Sequence, residues 1–269
     1  SEMQKLNTFE AFDLSINQYY QPPAAGDIFR DSNGNYYILV GQDCDLMISQ
    51  SRSGNNAVIE LVKASVVSQK DIEKYEKNLE YMYVNNFRES DTEQPKGLEI
   101  KYSSRVYLDN VVIRLCCFNK DGKCKISLNE KLDPVIQDII SPYLCDTYVK
   151  IQQFLRNIDE LKQTVGDKMN AVLESEFSPR LTSIVHYEKD QDGCIEYPYR
   201  RIGRLNRSYV LYLYKLFLEY RGRHPFDCIN LTRHASLTIP VVGSNIELPI
   251  YCSQLYFSRT RRNTNHHTK

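Results

Sequence analysis

Two carboxylates flank a thiol at Asp43-Cys44-Asp45, where the apolar run Tyr36 to Val40 gives way to a polar segment. In extended backbone the two carboxylates share one face and Cys44 takes the other. Paired oxygen ligands suit Mg²⁺. Flanking negative charge raises a thiol's pKa and works against Cys44 as a nucleophile. The alternative is that Cys44 packs inward while the aspartates cap loop amides. A metal nuclease that pairs an Asp with Glu/Asp-x-Lys needs a second carboxylate on a neighbouring strand, and Glu99-Ile100-Lys101 supplies one for Asp43 and Asp45. That tripeptide is not specific, because Asp121-Gly122-Lys123 and Glu160-Leu161-Lys162 match it too.

Other catalytic patterns are missing from the sequence. Zinc sites need ligand pairs two to four residues apart, and no Cys-x-x-Cys occurs; His186, His224 and His234 are isolated. There is no Gly-x-Ser-x-Gly, Walker-type loop or Gly-x-Gly-x-x-Gly. Neither a metal nor a cofactor is expected on these grounds. The vicinal pair Cys116-Cys117 falls in an expected strand and would point to opposite sides, which argues against a redox couple.

The strongest signal is electrostatic. Arg200, Arg201, Arg204 and Arg207 precede an expected helix, Lys215, Arg221, Arg223 and His224 lie along or after it, and only Glu219 offsets them. Guanidinium groups grip phosphate bidentately, and the interleaved Tyr197, Tyr199, Tyr209 and Tyr212 could stack on single-stranded bases. The competing reading is a solvated face whose arginines pair with acids elsewhere. With 34 basic and 34 acidic residues in the chain, such acids exist.

The elements that must carry these groups read as α+β. Gly26 to Arg30 and Tyr36 to Val40 form a hairpin across Asn33-Gly34, whose glycine supplies the positive φ of a tight turn. A strand over 57–67 follows. Asp71 to Phe87 reads as a helix, with Ile72, Tyr75, Leu79 and Tyr83 on one face. Arg105 to Phe118 and Cys124 to Leu128 read as a second hairpin, completing an N-terminal antiparallel sheet or partly open barrel over 1–130. Helix then dominates 131–178, opened by Asp133-Pro134 and kinked or restarted at Pro142. Leu144, Tyr148, Ile151, Leu155, Ile158, Val165, Met169 and Val172 form a heptad-like seam, either packed on its own protein or serving as a homodimer contact. A C-terminal α+β portion spans 179–258: a hairpin around Asp190 to Gly193, a helix over 206–220, and strands on either side of Gly243-Ser244-Asn245. Residues 259–269 form a basic tail.

Residues 24–48, from Gly26-Asp27-Ile28-Phe29 to Gln42-Asp43-Cys44-Asp45-Leu46, resemble bacterial proteins encoded near phage-defence and mobile-element genes. The opening strand is also similar to the entry of MazF/PemK-like toxin barrels. Those toxins carry an Arg-Pro pair where this chain has Gln42-Asp43, so their ribonuclease activity does not transfer. The 269 residues contain no run of roughly 20 apolar residues, and Ser1 to Leu6 lack the apolar core of a signal peptide. Cysteines set in apolar runs fit a reducing, cytoplasmic setting. The resulting expectation is a non-catalytic interaction protein of a bacterial defence or mobile-element system, binding protein or nucleic acid. A metal-dependent nuclease is the alternative.

Overall fold

The Asn33-Gly34 turn sits at the origin of the sheet. The computed structural model describes residues 8–41, 58–68, 80–89, 93–166, 179–222, 235–241 and 244–250, with Leu46 and Ile72. Strands β2 (Asp27–Asp31) and β3 (Tyr36–Val40) pair across the turn. Gly34 has φ 83°, and the Asp31 carboxylate accepts the amides of Asn33 at 3.0 Å and Asn35 at 2.8 Å.

Nine of the described strands make one open antiparallel sheet. From β3 the sheet continues through β4 (Val58–Val67) and β6 (Lys96–Asp109) to β5 (Tyr81–Phe87). On the other side β2 pairs with β9 (Cys194–Leu205). The far edge of β9 takes β1 (Phe12–Asp13) and β7 (Lys123–Ser127), and β9 also pairs with β8 (Glu188–Lys189). Alternation along the strands sends side chains into two apolar layers. Phe29, Tyr37, Leu39, Leu61 and Tyr197 lie in one, and Ile28, Ile38, Val62, Leu98 and Ile100 in the other.

A helix covers each layer. Ser141 caps α3 (Pro142–Val165), and Leu144, Tyr148, Ile151 and Leu155 are buried in the first cluster, with Ile158 packed against it. The heptad-like seam is therefore consumed by its own sheet from Leu144 to Ile158; Met169 and Val172 lie outside the described residues. Lys162, the polar residue that falls between Ile158 and Val165 in that spacing, donates to the Val185 carbonyl at 2.9 Å and lies 4.1 Å from the Tyr187 ring centroid. On the opposite layer, Leu213 and Phe217 of α5 (Arg207–Gly222) pack with Phe12, Val62 and Tyr102.

Three local expectations are corrected. Tyr81–Phe87 is an edge strand rather than the end of a helix, with Met82 and Val84 buried at period two against β6. The strand expected over 105–118 stops at Asp109. There the Asp109 carboxylate accepts the Val111 amide at 2.8 Å and starts α1 (Asn110–Arg114), followed by a 3₁₀ turn over Leu115–Phe118. Cys116 and Cys117 are thus both buried in a helical turn, not split across a strand. Finally, β7 pairs with β9 and not with the strand before it.

Two short helices complete the larger unit: α2 (Pro134–Ile139) and α4 (Pro179–Val185). Ser1–Arg223 form one compact unit and His224–Lys269 another. The boundaries expected near 130 and 178 fall inside the first, because β9 is an interior strand of the N-terminal sheet. In the second unit, β10 (Ala235–Val241) and β11 (Ser244–Ile250) form an antiparallel hairpin. No described helix is long and apolar enough to cross a membrane.

Candidate functional site

The arginines that cluster in sequence separate in space. Arg201 pairs with Phe29 across β9 and β2, on the face that packs against α3, and its side chain has 0% exposure. Its Nη1 donates to Asp27 Oδ2 at 3.1 Å, Nε to Asn17 Oδ1 at 2.7 Å and Nη2 to the Gln21 carbonyl at 2.8 Å. Arg204 joins the same carboxylate through Nε and reaches the Pro22 carbonyl at 2.8 Å. This network fastens the connector before β2 onto β9. Burial alone would lower the Arg201 pKa, but Cys116 and Asp27 raise it above its usual value. Burial pushes the Cys116 thiol up to about 12, so the thiol is neutral near pH 7 and Asp27 is the effective counter-ion.

Gly122, in the turn just before β7, closes the network. Its carbonyl accepts the Arg201 amide at 2.8 Å and it has φ 73°. A Cβ there would run into the Arg201 carbonyl oxygen, so glycine is required both by conformation and by space.

Arg200 projects from the other face and is exposed. The register sets it beside Arg30 of β2 on one side and Lys123 of β7 on the other. Adjacent strands lie about 4.8 Å apart, so three cations cross the sheet in a row roughly 10 Å long. A shallow cleft of about 250 Å³ runs along it, lined by Arg30, Ser32, Lys123, Glu196, Pro198 and Arg200. Arg30 Nη1 contacts both oxygens of Glu89, at 3.1 and 3.0 Å, and Lys123 Nζ contacts Glu196 at 2.7 Å. The hydrogen bond to Glu196 holds the Lys123 pKa above its usual value. Arg200 donates Nε to the Asp121 carbonyl at 2.8 Å, and among the described residues its terminal nitrogens meet no carboxylate. The exposed pairs on either side are individually weak, worth about 0–1 kcal/mol, so an arriving phosphate can displace them.

The remaining candidates are scattered. Arg207 and Arg221 lie at opposite ends of α5, fourteen residues and so roughly 21 Å apart. Arg221 is 3.3 Å from Glu60, while Arg223 lies outside the described residues. Tyr197 is buried with its hydroxyl on the Ile184 carbonyl, and Tyr199 packs edge-on against Tyr37. Tyr197 therefore offers no open stacking face, while Tyr199 is half-buried at the cleft beside the row. Asp43, Cys44 and Asp45 also lie outside the described residues. Glu99 accepts the Tyr83 hydroxyl at 3.0 Å, and Lys101 Nζ sits 5.7 Å from the Tyr81 ring centroid. Glu99 pairs with Ser65, five residues along β4 from Glu60, the partner of Val40. Roughly 17 Å of strand therefore separates Glu99 from the sheet end where β3 leaves.

Among the described residues no three His, Cys, Asp or Glu side chains stand close enough to hold a metal. Burial raises the Cys117 and Cys124 pKa values as it does that of Cys116, so none of the three is a thiolate near neutral pH. A larger cleft of about 440 Å³ lies between β7 and the helices after it, lined by Phe118, Asn119, Lys125, Glu130, Leu132 and Tyr148. Its Asn119 amide is committed to the carbonyls of Leu115, Lys123 and Lys125. Arg30 and Lys123 were not legible as site residues. Arg30 is the lone cation in the strand Asp27–Asp31, yet only the pairing of β2, β9 and β7 brings it to Arg200. No protein family matches this chain, and no curated protein or solved structure is significantly similar to it.

Proposed function

We propose that the protein is a non-catalytic interaction protein that binds nucleic-acid phosphates along the exposed row Arg30, Arg200 and Lys123. The single observation behind this reading is the cross-strand register, which aligns three cations from three adjacent strands over a shallow cleft. A protein partner along the helical seam has less support, since that seam is buried against the sheet from Leu144 to Ile158.

The test is fluorescence anisotropy of a labelled single-stranded oligonucleotide across a salt series. Each phosphate contact to a single strand contributes a slope of about −0.7 in log K against log salt, so a three-cation row gives a slope near −2. Arg200→Glu should weaken binding and flatten that slope, and Arg30→Glu/Arg200→Glu should abolish binding. Arg221→Glu, at the far end of α5, should leave it intact. Absence of salt-sensitive binding, or equal loss in Arg221→Glu, refutes the reading. The nuclease alternative relies on Asp43, Asp45 and Glu99. Mg²⁺-dependent cleavage of the same oligonucleotide, lost in Asp45→Ala, would replace the non-catalytic reading.

A further inference from the structure

Arg114 ends α1 and is 7% exposed, yet its Nε and Nη2 are buried and meet no hydrogen-bond partner among the described residues. It stands apart from the row on the sheet. Its surroundings are otherwise well satisfied. The Asp109 carboxylate accepts the Val111 amide, the Asp109 amide donates to Ser183 Oγ at 2.8 Å, and Cys117 Sγ lies 2.9 Å from the Arg114 carbonyl. Val112, Ile113, Leu115 and Cys116 fill the apolar cluster around it. Burial lowers the Arg114 pKa, with Cys117 and Asp109 acting against the shift. A guanidinium does not lose its proton near neutral pH, so a charged group sits in this layer with two donors idle. Native interiors rarely tolerate that.

The two idle nitrogens are not an arbitrary pair. Nε and Nη2 form one edge of the planar guanidinium, with parallel N–H bonds spaced for the two oxygens of a carboxylate or phosphate. A side chain present only to fill the cluster would do so better as Leu or Met. We propose that the Nε/Nη2 edge of Arg114 is a binding site for a free oxyanion of the phosphate or carboxylate class.

Thermal unfolding of the full chain tests this, with potassium phosphate and potassium acetate each compared with KCl at matched ionic strength. The wild type should gain stability saturably with at least one of the two anions. The gain should be roughly 5–10 °C once the free anion stands about a hundredfold over its Kd. Arg114→Met, close in volume and apolar, should melt no lower than the wild type in KCl and should not respond to either anion. Arg114→Lys keeps the charge without the fork and should show a reduced response. Arg30→Glu/Arg200→Glu should respond like the wild type, which separates this site from the row on the sheet. No anion-specific gain in the wild type, or an equal gain in Arg114→Met, overturns the proposal. So does a loss of stability in Asp43→Asn or Asp45→Asn that disappears in the Arg114→Met background, because a carboxylate of the chain itself would then occupy the fork.

Discussion

Substituting Asp27 should unfasten the connector from the sheet. Its carboxylate accepts from Arg201 Nη1 at 3.1 Å, from Arg204 Nε and from the Ala24 amide at 3.2 Å, and both Asp27 and Arg201 have side chains at 0% exposure. Asp27→Ala leaves the Arg201 guanidinium charged, buried and without its counter-ion. Removing one partner of a buried pair costs about 3–5 kcal/mol. Arg204, at 20% side-chain exposure, can turn toward water and adds little. For a unit of this size each kcal/mol moves the melting point by roughly 2–4 °C, so the loss is about 6–20 °C. Urea unfolding followed by far-UV circular dichroism measures it, with an unchanged m-value expected because the surface exposed on unfolding is the same. Asp27→Asn/Arg201→Met removes both charges at similar volume and should recover most of the loss. Glu196→Gln, which breaks the exposed Lys123 pair, should cost no more than about 1 kcal/mol. A loss below about 1 kcal/mol in Asp27→Ala would refute the claim that the pair anchors the connector.

Three further outcomes follow from the packing. Donors on Asn35, Tyr37 and Asn33 outweigh burial and hold the Asp31 carboxyl below its usual range. Its stabilisation is therefore full above the unfolded pKa and lost as pH falls through the lower folded value. Asp31→Asn should lower stability at neutral pH, and the gap to the wild type should close as pH falls below the unfolded carboxyl value of about 4; a gap independent of pH would show that the charge is not what matters. Alkylation mapped by mass spectrometry should leave Cys116, Cys117 and Cys124 unmodified until the protein is unfolded, since burial suppresses both access and thiolate; labelling of the native protein at these positions would contradict that. Leu155, at 0% exposure in the cluster beneath α3, should cost about 2–5 kcal/mol as Ala with no change in elution volume on gel filtration. A dimer that falls apart without loss of stability would instead make the seam intermolecular.

Short-range chemistry was readable directly. Asn33-Gly34 specifies a turn between two apolar runs because glycine alone takes that φ without strain, and β2 and β3 lie where the pattern puts them. The four-three spacing from Leu144 to Ile158 marked a helix with one apolar face, and α3 buries that face. Periodicity failed where two periods coincide. Tyr75, Leu79 and Tyr83 are four apart, but Met82 and Val84 are two apart, and pairing with β6 selects the strand for Tyr81–Phe87. The run Val111 to Phe118 looks like a strand by composition, yet the Asp109 cap turns it into helix and the cluster takes nearly every side chain.

The sequence by itself determined the α+β class, the hairpin, the long helix and the fact that arginines crowd between Tyr199 and Pro225. It could not determine which of those arginines face water. Arg200 and Arg201 are neighbours in the chain, and a strand sends neighbours to opposite faces. One meets Arg30 and Lys123 at the surface; the other meets Asp27, 174 residues away, in the core. Only the insertion of β9 between β2 and β7 decides that, because a charge is functional or structural according to the partner that tertiary pairing brings to it.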